Sequence, residues 1–261
     1  MAATGPHTSP TSGQRHARVA PPSHRPGVIS AHTSNAERYV DHVPRVGFLH
    51  TSPVHVATFD GLVAGAGQPA ETTHSVRADL LASVIKTGIT PSISAEIQLE
   101  LHALRDAGAD VIVCTCSSIG DVAEALSAEV RVIRVDRPMA ALVAATATNV
   151  AVVMALVSTL EPTLDLLAEE IALLGRNVTV EAAPVLEAWP YFEAGDNDAY
   201  LKAIVEHVVA IDSSFDTIVL AQASMAGAID LLPDNANRTV VASPAIAVAA
   251  ALQAINGEAT A

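Results

Sequence analysis

The chain has 261 residues, half of them hydrophobic and only 3% aromatic, so it can bury one large core or two small ones made of short aliphatic side chains. Its formal charge of −14 excludes nucleic acid and an anionic membrane surface as partners, because both need a basic stripe. No apolar run reaches the length of a membrane span, no secretory segment opens the chain, and two cysteines make no disulfide framework. The expected protein is therefore acidic, soluble and cytoplasmic.

Residues 1–44 differ from everything after them. They are rich in Pro, Ser, Thr and His, lack a sustained apolar period, and with Arg45 carry five of the fourteen Lys/Arg residues. Such a segment cannot bury enough apolar surface to offset its chain entropy, so a disordered tail, or a start codon placed too early, is expected. A basic, Ser-rich targeting peptide is the alternative.

From Arg45 onward, β-branched runs alternate with amphipathic ones. Strands are expected at 46–50, 110–115, 130–135, 149–155, 178–185, 216–221 and 238–243. Helices are expected at ISAEIQLELHALRDAG, IGDVAEALSA, TLEPTLDLLAEEIALLG and DAYLKAIVEHVVAID, several opening at Ser, Asp or Thr or closing at Gly. Unbroken apolar strands between helices indicate parallel sheets covered on both faces. In such sheets ligands collect beyond the carboxyl ends of the strands, which directs attention to the residues just after each strand.

A repeat appears there. ADVIVCTCSSIGDVAEAL (109–126) aligns without gaps on FDTIVLAQASMAGAIDLL (215–232), with Asp110 on Asp216, Ile112 on Ile218 and Ser118 on Ser224. A duplicated α/β half with a crevice between the copies is the simplest architecture that fits. The halves are expected at 45–140, completed by 240–256, and at 141–239.

The two cysteines lie in the first copy. Cys114 falls inside the strand and reads as a small buried hydrophobe. The spacing suits neither a disulfide nor zinc, since no second Cys pair or His pair completes a tetrahedral set. Cys116 ends the strand and precedes Ser117, Ser118 and a helix start. There a thiol is expected to be exposed and acidified, and the helix N–H groups could hold a carboxylate. It reads equally as a functional thiol or an inert one.

The segment D110-VIVCT-C116-S-S resembles the first catalytic cysteine segment of the aspartate/glutamate/hydantoin racemase superfamily. VGFLHTSP resembles that superfamily's first strand and substrate loop, while LAQASMA and VVASPAIAV resemble its second catalytic segment and last strand. The resemblance covers residues 45–256. It implies two pseudo-symmetric Rossmann/flavodoxin-like domains with parallel sheets, an active site in the interdomain cleft, and often a homodimer. It also implies cofactor-independent racemisation by proton transfer α to a carboxylate, with two thiols on opposite faces of the carbon.

Here the alignment puts Gln222 where the second thiol would stand. An amide can hydrogen-bond an oxyanion but does not exchange protons usefully at neutral pH. His50, at the end of the first strand, is the candidate for the second acid, or else a residue that merely hydrogen-bonds locally. Thr51, Ser52, Ser117, Ser118 and Ser224 are expected to bind carboxylate oxygens. Ser158 and Thr159 would compensate for Met154 and Ala155 after the fourth expected strand. His55, His74, His102 and His207 read as surface residues, and Trp189 and Tyr191 as loop packing. Alternatives to the racemase are a lyase of the arylmalonate decarboxylase type, for which one cysteine suffices, and a non-catalytic binder of small carboxylates.

Overall fold

In a computed structural model of the protein, the described residues are 43–127, 130–233 and 238–258. The expected tail lies outside them except for Val43 and Pro44, and the Pro44 carbonyl already accepts the Glu71 N–H at 2.7 Å.

Among the described residues, eight strands form two parallel sheets of four. The first contains β1 (Arg45–His50), β2 (Glu71–Val76), β3 (Val111–Cys114) and β4 (Arg131–Arg134) in the order β2-β1-β3-β4. The second contains β5 (Asn149–Met154), β6 (Thr179–Pro184), β7 (Thr217–Leu220) and β8 (Thr239–Ala242) in the order β6-β5-β7-β8. The expected α/β architecture is present, and the seven expected strands all form. The eighth, β2, has the polar sequence ETTHSV at a sheet edge, where neither an apolar run nor clean alternation marks it.

Register repeats with order. Val46 pairs with Val111 in the first sheet, and their counterparts Val150 and Thr217 pair in the second. The aligned aspartates do equivalent work. Asp110 accepts the Arg45 N–H at 2.7 Å, and Asp216 accepts the N–H groups of Thr148 and Asn149, each at 3.0 Å. Each carboxylate thus satisfies backbone donors at the start of its sheet's first strand.

The helices are α1 (His55–Gly65), α2 (Ala78–Thr87), α3 (Pro91–Asp106), α4 (Ser117–Ala125), α5 (Arg137–Thr146), α6 (Leu160–Leu173), α7 (Trp189–Glu193), α8 (Asn197–Ala210) and α9 (Ser243–Glu258). The longer ones follow from local signals. In α3, Thr90 caps the first turn by accepting the Ile93 N–H, Pro91 follows the cap, and Ile93, Ile97, Leu101 and Leu104 bury one stripe.

Two helices cross between the halves. Helix α9 follows β8 but packs Ala247, Val248, Ala251 and Ile255 against Val46, Phe48 and Val113 of the first sheet. Helix α5 follows β4 but packs Met139, Ala140 and Val143 against Val150, Val152 and Val219 of the second. The boundaries shift accordingly. Residues 239–242 belong to the second sheet, so only α9 completes the first half, and the second half's covering begins at Arg137 rather than 141.

Gly47 sits in central strand β1, where a Cβ would meet Ala109 Cβ at 2.9 Å and Ile112 Cγ1 at 3.2 Å. Gly47→Ala is expected to cost about 1–3 kcal/mol by overpacking. Gly61→Ala, inside α1 with nothing within 4 Å, is expected to stabilise by about 0.5–1 kcal/mol. Urea-denaturation midpoints of the two variants should move in opposite directions.

Candidate active site

In each sheet the chain reverses winding direction between its two central strands, and the loops leaving those strands diverge to open a crevice. In the first half these loops present Thr51 and Ser52 after β1, and Thr115 and Cys116 after β3. In the second they present Ala155 and Leu156 after β5, and Ala221 and Gln222 after β7. The two crevices share one cavity of about 50 Å³, into which Thr51, Ser52 and Cys116 project from one half and Thr159, Gln222 and Ser224 from the other. It has room for a few waters. Trp189 and Phe192, stacked with centroids 4.9 Å apart, close one side, so Trp189 is cavity wall rather than loop packing.

Cys116 caps α4 with extended backbone (φ −118°, ψ 114°). The Thr51 and Ser118 hydroxyls and the N–H groups of Ser118 and Ile119 surround its sulfur and favour thiolate, yet burial dominates and pushes the thiol up. This corrects the expectation of an exposed, acidified thiol: Cys116 is only 9% exposed, and desolvation of the anion outweighs the helix N-terminus. Cys114 lies deeper, and burial pushes its thiol up as well.

Gln222 holds the equivalent backbone position (φ −114°, ψ 136°), ahead of a 3₁₀ segment over Ala223–Leu231 rather than an α-helix. Its Oε1 accepts the Ala155 N–H at 2.6 Å and the Leu156 N–H at 3.1 Å. These two bonds fix the amide's orientation. Among the described residues Nε2 has no hydrogen-bond partner, so it stands as a pair of aligned donors at the cavity wall.

The expected carboxylate-binding hydroxyls divide. The Ser117 hydroxyl donates to the Ala221 carbonyl at 3.3 Å, and Ser118 Oγ lies 3.2 Å from the Ser158 carbonyl and 3.1 Å from Ser158 Oγ. These contacts tie one half to the other. Ser158 itself is not part of the cavity lining, whereas Thr159 is. Ser224 Oγ is held 2.9 Å from the buried Tyr200 hydroxyl, whose pKa burial pushes up to about 12.

The histidines depart most from expectation. His50 does not face the cavity. It is fully buried behind Thr115, with Nδ1 2.8 Å from Thr115 Oγ1 and Nε2 2.9 Å from His74 Nδ1. Burial, reinforced by His55 and His74, pushes its pKa down to about 3. His74 is not a surface residue but lies on β2, half-buried, between His50 and Asp60. His55 opens α1 and is the imidazole that lines the cavity, with its pKa lowered to about 4 by burial. Its place in the first helix turn after β1, just beyond T-S-P, is the sequence signal that identifies it.

Neither a scan against models of protein families nor a search of curated proteins gives a match. Solved structures do match. Aspartate racemase from Picrophilus torridus aligns with a TM-score of 0.62 at 15% identity, over 82% of this chain and 94% of its own. Glutamate racemase from Thermus thermophilus, in complex with β-chloro-D-alanine, aligns at 0.57 and 16%, over 83% and 81%. A variant of arylmalonate decarboxylase in a sulfate-associated form aligns at 0.53 and 15%, over 82% and 94%. The chain therefore has the fold shared by these racemases and the decarboxylase, which agrees with the resemblance carried by its motifs.

Two outcomes follow from this geometry. Below the ordinary histidine pKa of 6.5, the unfolded chain takes up protons that folded His50 and His55 refuse. Stability contributed by keeping these rings neutral is complete above about pH 6.5 and falls on acidification, with each ring contributing a slope approaching about 1.4 kcal/mol per pH unit. Urea denaturation between pH 7 and pH 4 should show this, with a shallower slope in His55→Gln. Separately, Gln222→Met leaves the buried Ala155 N–H without an acceptor and should cost about 1–3 kcal/mol. Gln222→Glu retains the acceptor and should lose less, as read from denaturation midpoints at pH 7.

Proposed function

We propose that the protein is a cofactor-independent, racemase-type enzyme that moves a proton at the carbon α to the carboxylate of a small amino acid or related acid. The observation that carries this reading is the placement of Cys116 and Gln222. They occupy equivalent positions two residues beyond β3 and β7 and enter one cavity from opposite halves.

The chemistry follows from what each side offers. The N-terminus of α4 and the Thr51–Ser52 turn present donors suited to a carboxylate, and no Lys or Arg among the described residues lines the cavity. Cys116 takes the α-proton as thiolate. A thiol whose resting pKa is raised forms a stronger base once deprotonated, which suits a weakly acidic C–H bond. The Nε2 donors of Gln222, held in place by the bonds at Oε1, stabilise charge developing on the carboxylate oxygens as an enediolate forms.

The single thiol also supports a second reading, a lyase of the decarboxylase type. There Cys116 would protonate one face of an enediolate produced by loss of CO₂, and no second acid would be needed.

Incubation in D₂O with a panel of amino acids, hydantoins and arylmalonates separates these readings. α-Deuterium incorporation by the wild type is expected, with at least a ~10²-fold loss in Cys116→Ser. Inversion should appear or strengthen in Gln222→Cys, where a thiol stands on the second side. Release of CO₂ would establish the lyase instead, and full activity of Cys116→Ser would refute the thiol mechanism in both forms.

A further inference from the structure

Thr115 lies beside Cys116 in the chain and lines the same cavity, and a continuous hydrogen-bonded path leads away from its hydroxyl. Thr115 Oγ1 is 2.8 Å from His50 Nδ1, His50 Nε2 is 2.9 Å from His74 Nδ1, and His74 Nε2 is 2.9 Å from Asp60 Oδ1. Asp60 also accepts the Thr72 hydroxyl at 2.6 Å, and its side chain is 47% exposed. Phe48 stacks nearly parallel to both imidazoles, at 5.7 Å and 5.2 Å, and Phe59 leans on His50 from α1. Aromatic rings flank both imidazoles, and the path ends at the exposed Asp60 carboxylate.

We propose that Thr115, His50, His74 and Asp60 form a proton relay between the catalytic cavity and the solvent beside β2. This rests on the reading of the cavity as a proton-transfer site. The directions of the bonds follow from the Asp60 end. A carboxylate only accepts, so His74 donates Nε2–H to it and, when neutral, accepts at Nδ1 from His50 Nε2–H. His50 then accepts at Nδ1 from the Thr115 hydroxyl.

Adding one proton from the cavity side converts this arrangement into a second complete one. The incoming proton binds Thr115 Oγ1, the hydroxyl's own proton passes to His50 Nδ1, and the Nε2 proton of His50 passes to His74 Nδ1. His74 becomes an imidazolium paired with the Asp60 carboxylate, and Thr115 turns its hydroxyl to the Leu49 carbonyl at 3.2 Å. Every donor is matched in both arrangements, and the net change is one proton moved from cavity to His74.

The location of the charge is consistent. His50 cannot retain it, since burial and the facing His55 and His74 rings oppose a cation there, whereas His74 faces Asp60. A thiol in a small cavity with no relay can return the abstracted proton to the same carbon. With an outlet, that proton is lost to water and replaced.

Histidine-selective ¹⁵N NMR of the full chain tests the relay without turnover. At pH 8, Nε2–H tautomers are expected on both His50 and His74. On acidification His50 should switch to Nδ1–H at the same midpoint at which His74 gains its second proton, and Asp60→Asn should lower that common midpoint. If His50 keeps its Nε2 proton while His74 titrates, the relay is overturned; packing alone would produce that result.

With a panel acid that exchanges, Asp60→Asn, remote from the cavity, should lower solvent-deuterium wash-in relative to turnover by about 10-fold or more at unchanged KM. Thr115→Val should do the same to wash-in, with Thr115→Ser restoring it. Wild-type wash-in in both Asp60→Asn and Thr115→Val would also overturn the relay. If no acid exchanges in the wild type, the proton-transfer reading of the cavity fails, and the shared NMR midpoint alone decides whether the relay exists.

Discussion

Each parallel sheet in this protein has two apolar faces, and one of the two helices that cover one of these faces comes from the other half of the chain. Helix α9 leaves the second sheet to cover the first, and α5 leaves the first to cover the second. Neither half can bury its sheet alone, because removing the crossing helix exposes the central strands to water. The exchange also sets the two crevices against each other. The bonds from Ser117 to the Ala221 carbonyl and between Ser118 and Ser158 join surfaces that the core has already brought together. The width of the cleft is a property of core packing.

On that symmetric frame the chemistry is asymmetric. The backbones at Cys116 and Gln222 are nearly superimposable in their dihedral angles, and both residues follow a buried central strand. One side chain is an ionisable thiol at the start of an α-helix. The other is a neutral amide whose oxygen is held by the loop after β5, ahead of a 3₁₀ segment. Under the proposed function a duplicated frame would supply two equivalent reaction faces, and this sequence has an ionisable thiol at only one of the two aligned positions. At the other position the proposed reaction would meet fixed dipoles, which stabilise charge without reorganising.

The sequence exposed most of this frame and less of the site. Central strands such as VIVC and TIVL are apolar on both sides, so their runs are unmistakable, and the Asp110–Asp216 alignment marked the repeat that the registers show. β2 was hidden because an edge strand need not be apolar. That concealed His74, which lies opposite Phe48 only once the strand is paired. His50 was placed at the right strand end but on the wrong side: adjacent strand residues point to opposite faces, and Thr115 intervenes between His50 and the cavity. At Cys116, proximity to a helix N-terminus is visible in sequence, whereas the depth of burial that outweighs it is not. Helix crossing was equally invisible, since α9 is apolar nearly all round, α5 is only moderately amphipathic, and neither sequence says which sheet it meets.

The size of the closed cavity bears on how any ligand is admitted. Sites for small molecules commonly measure ~300–1,000 Å³, far above the roughly 50 Å³ of the cavity that Trp189 and Phe192 help to line. A ligand of that size would need the lining to move apart, so the form described here and a ligand-accepting form would then differ. The measured dissociation constant equals the intrinsic one divided by the fraction of molecules that stand open. Substitutions in the aromatic wall that loosen the enclosed form would raise affinity without touching the ligand. Those that tighten it would weaken binding with the rest of the cavity lining unchanged.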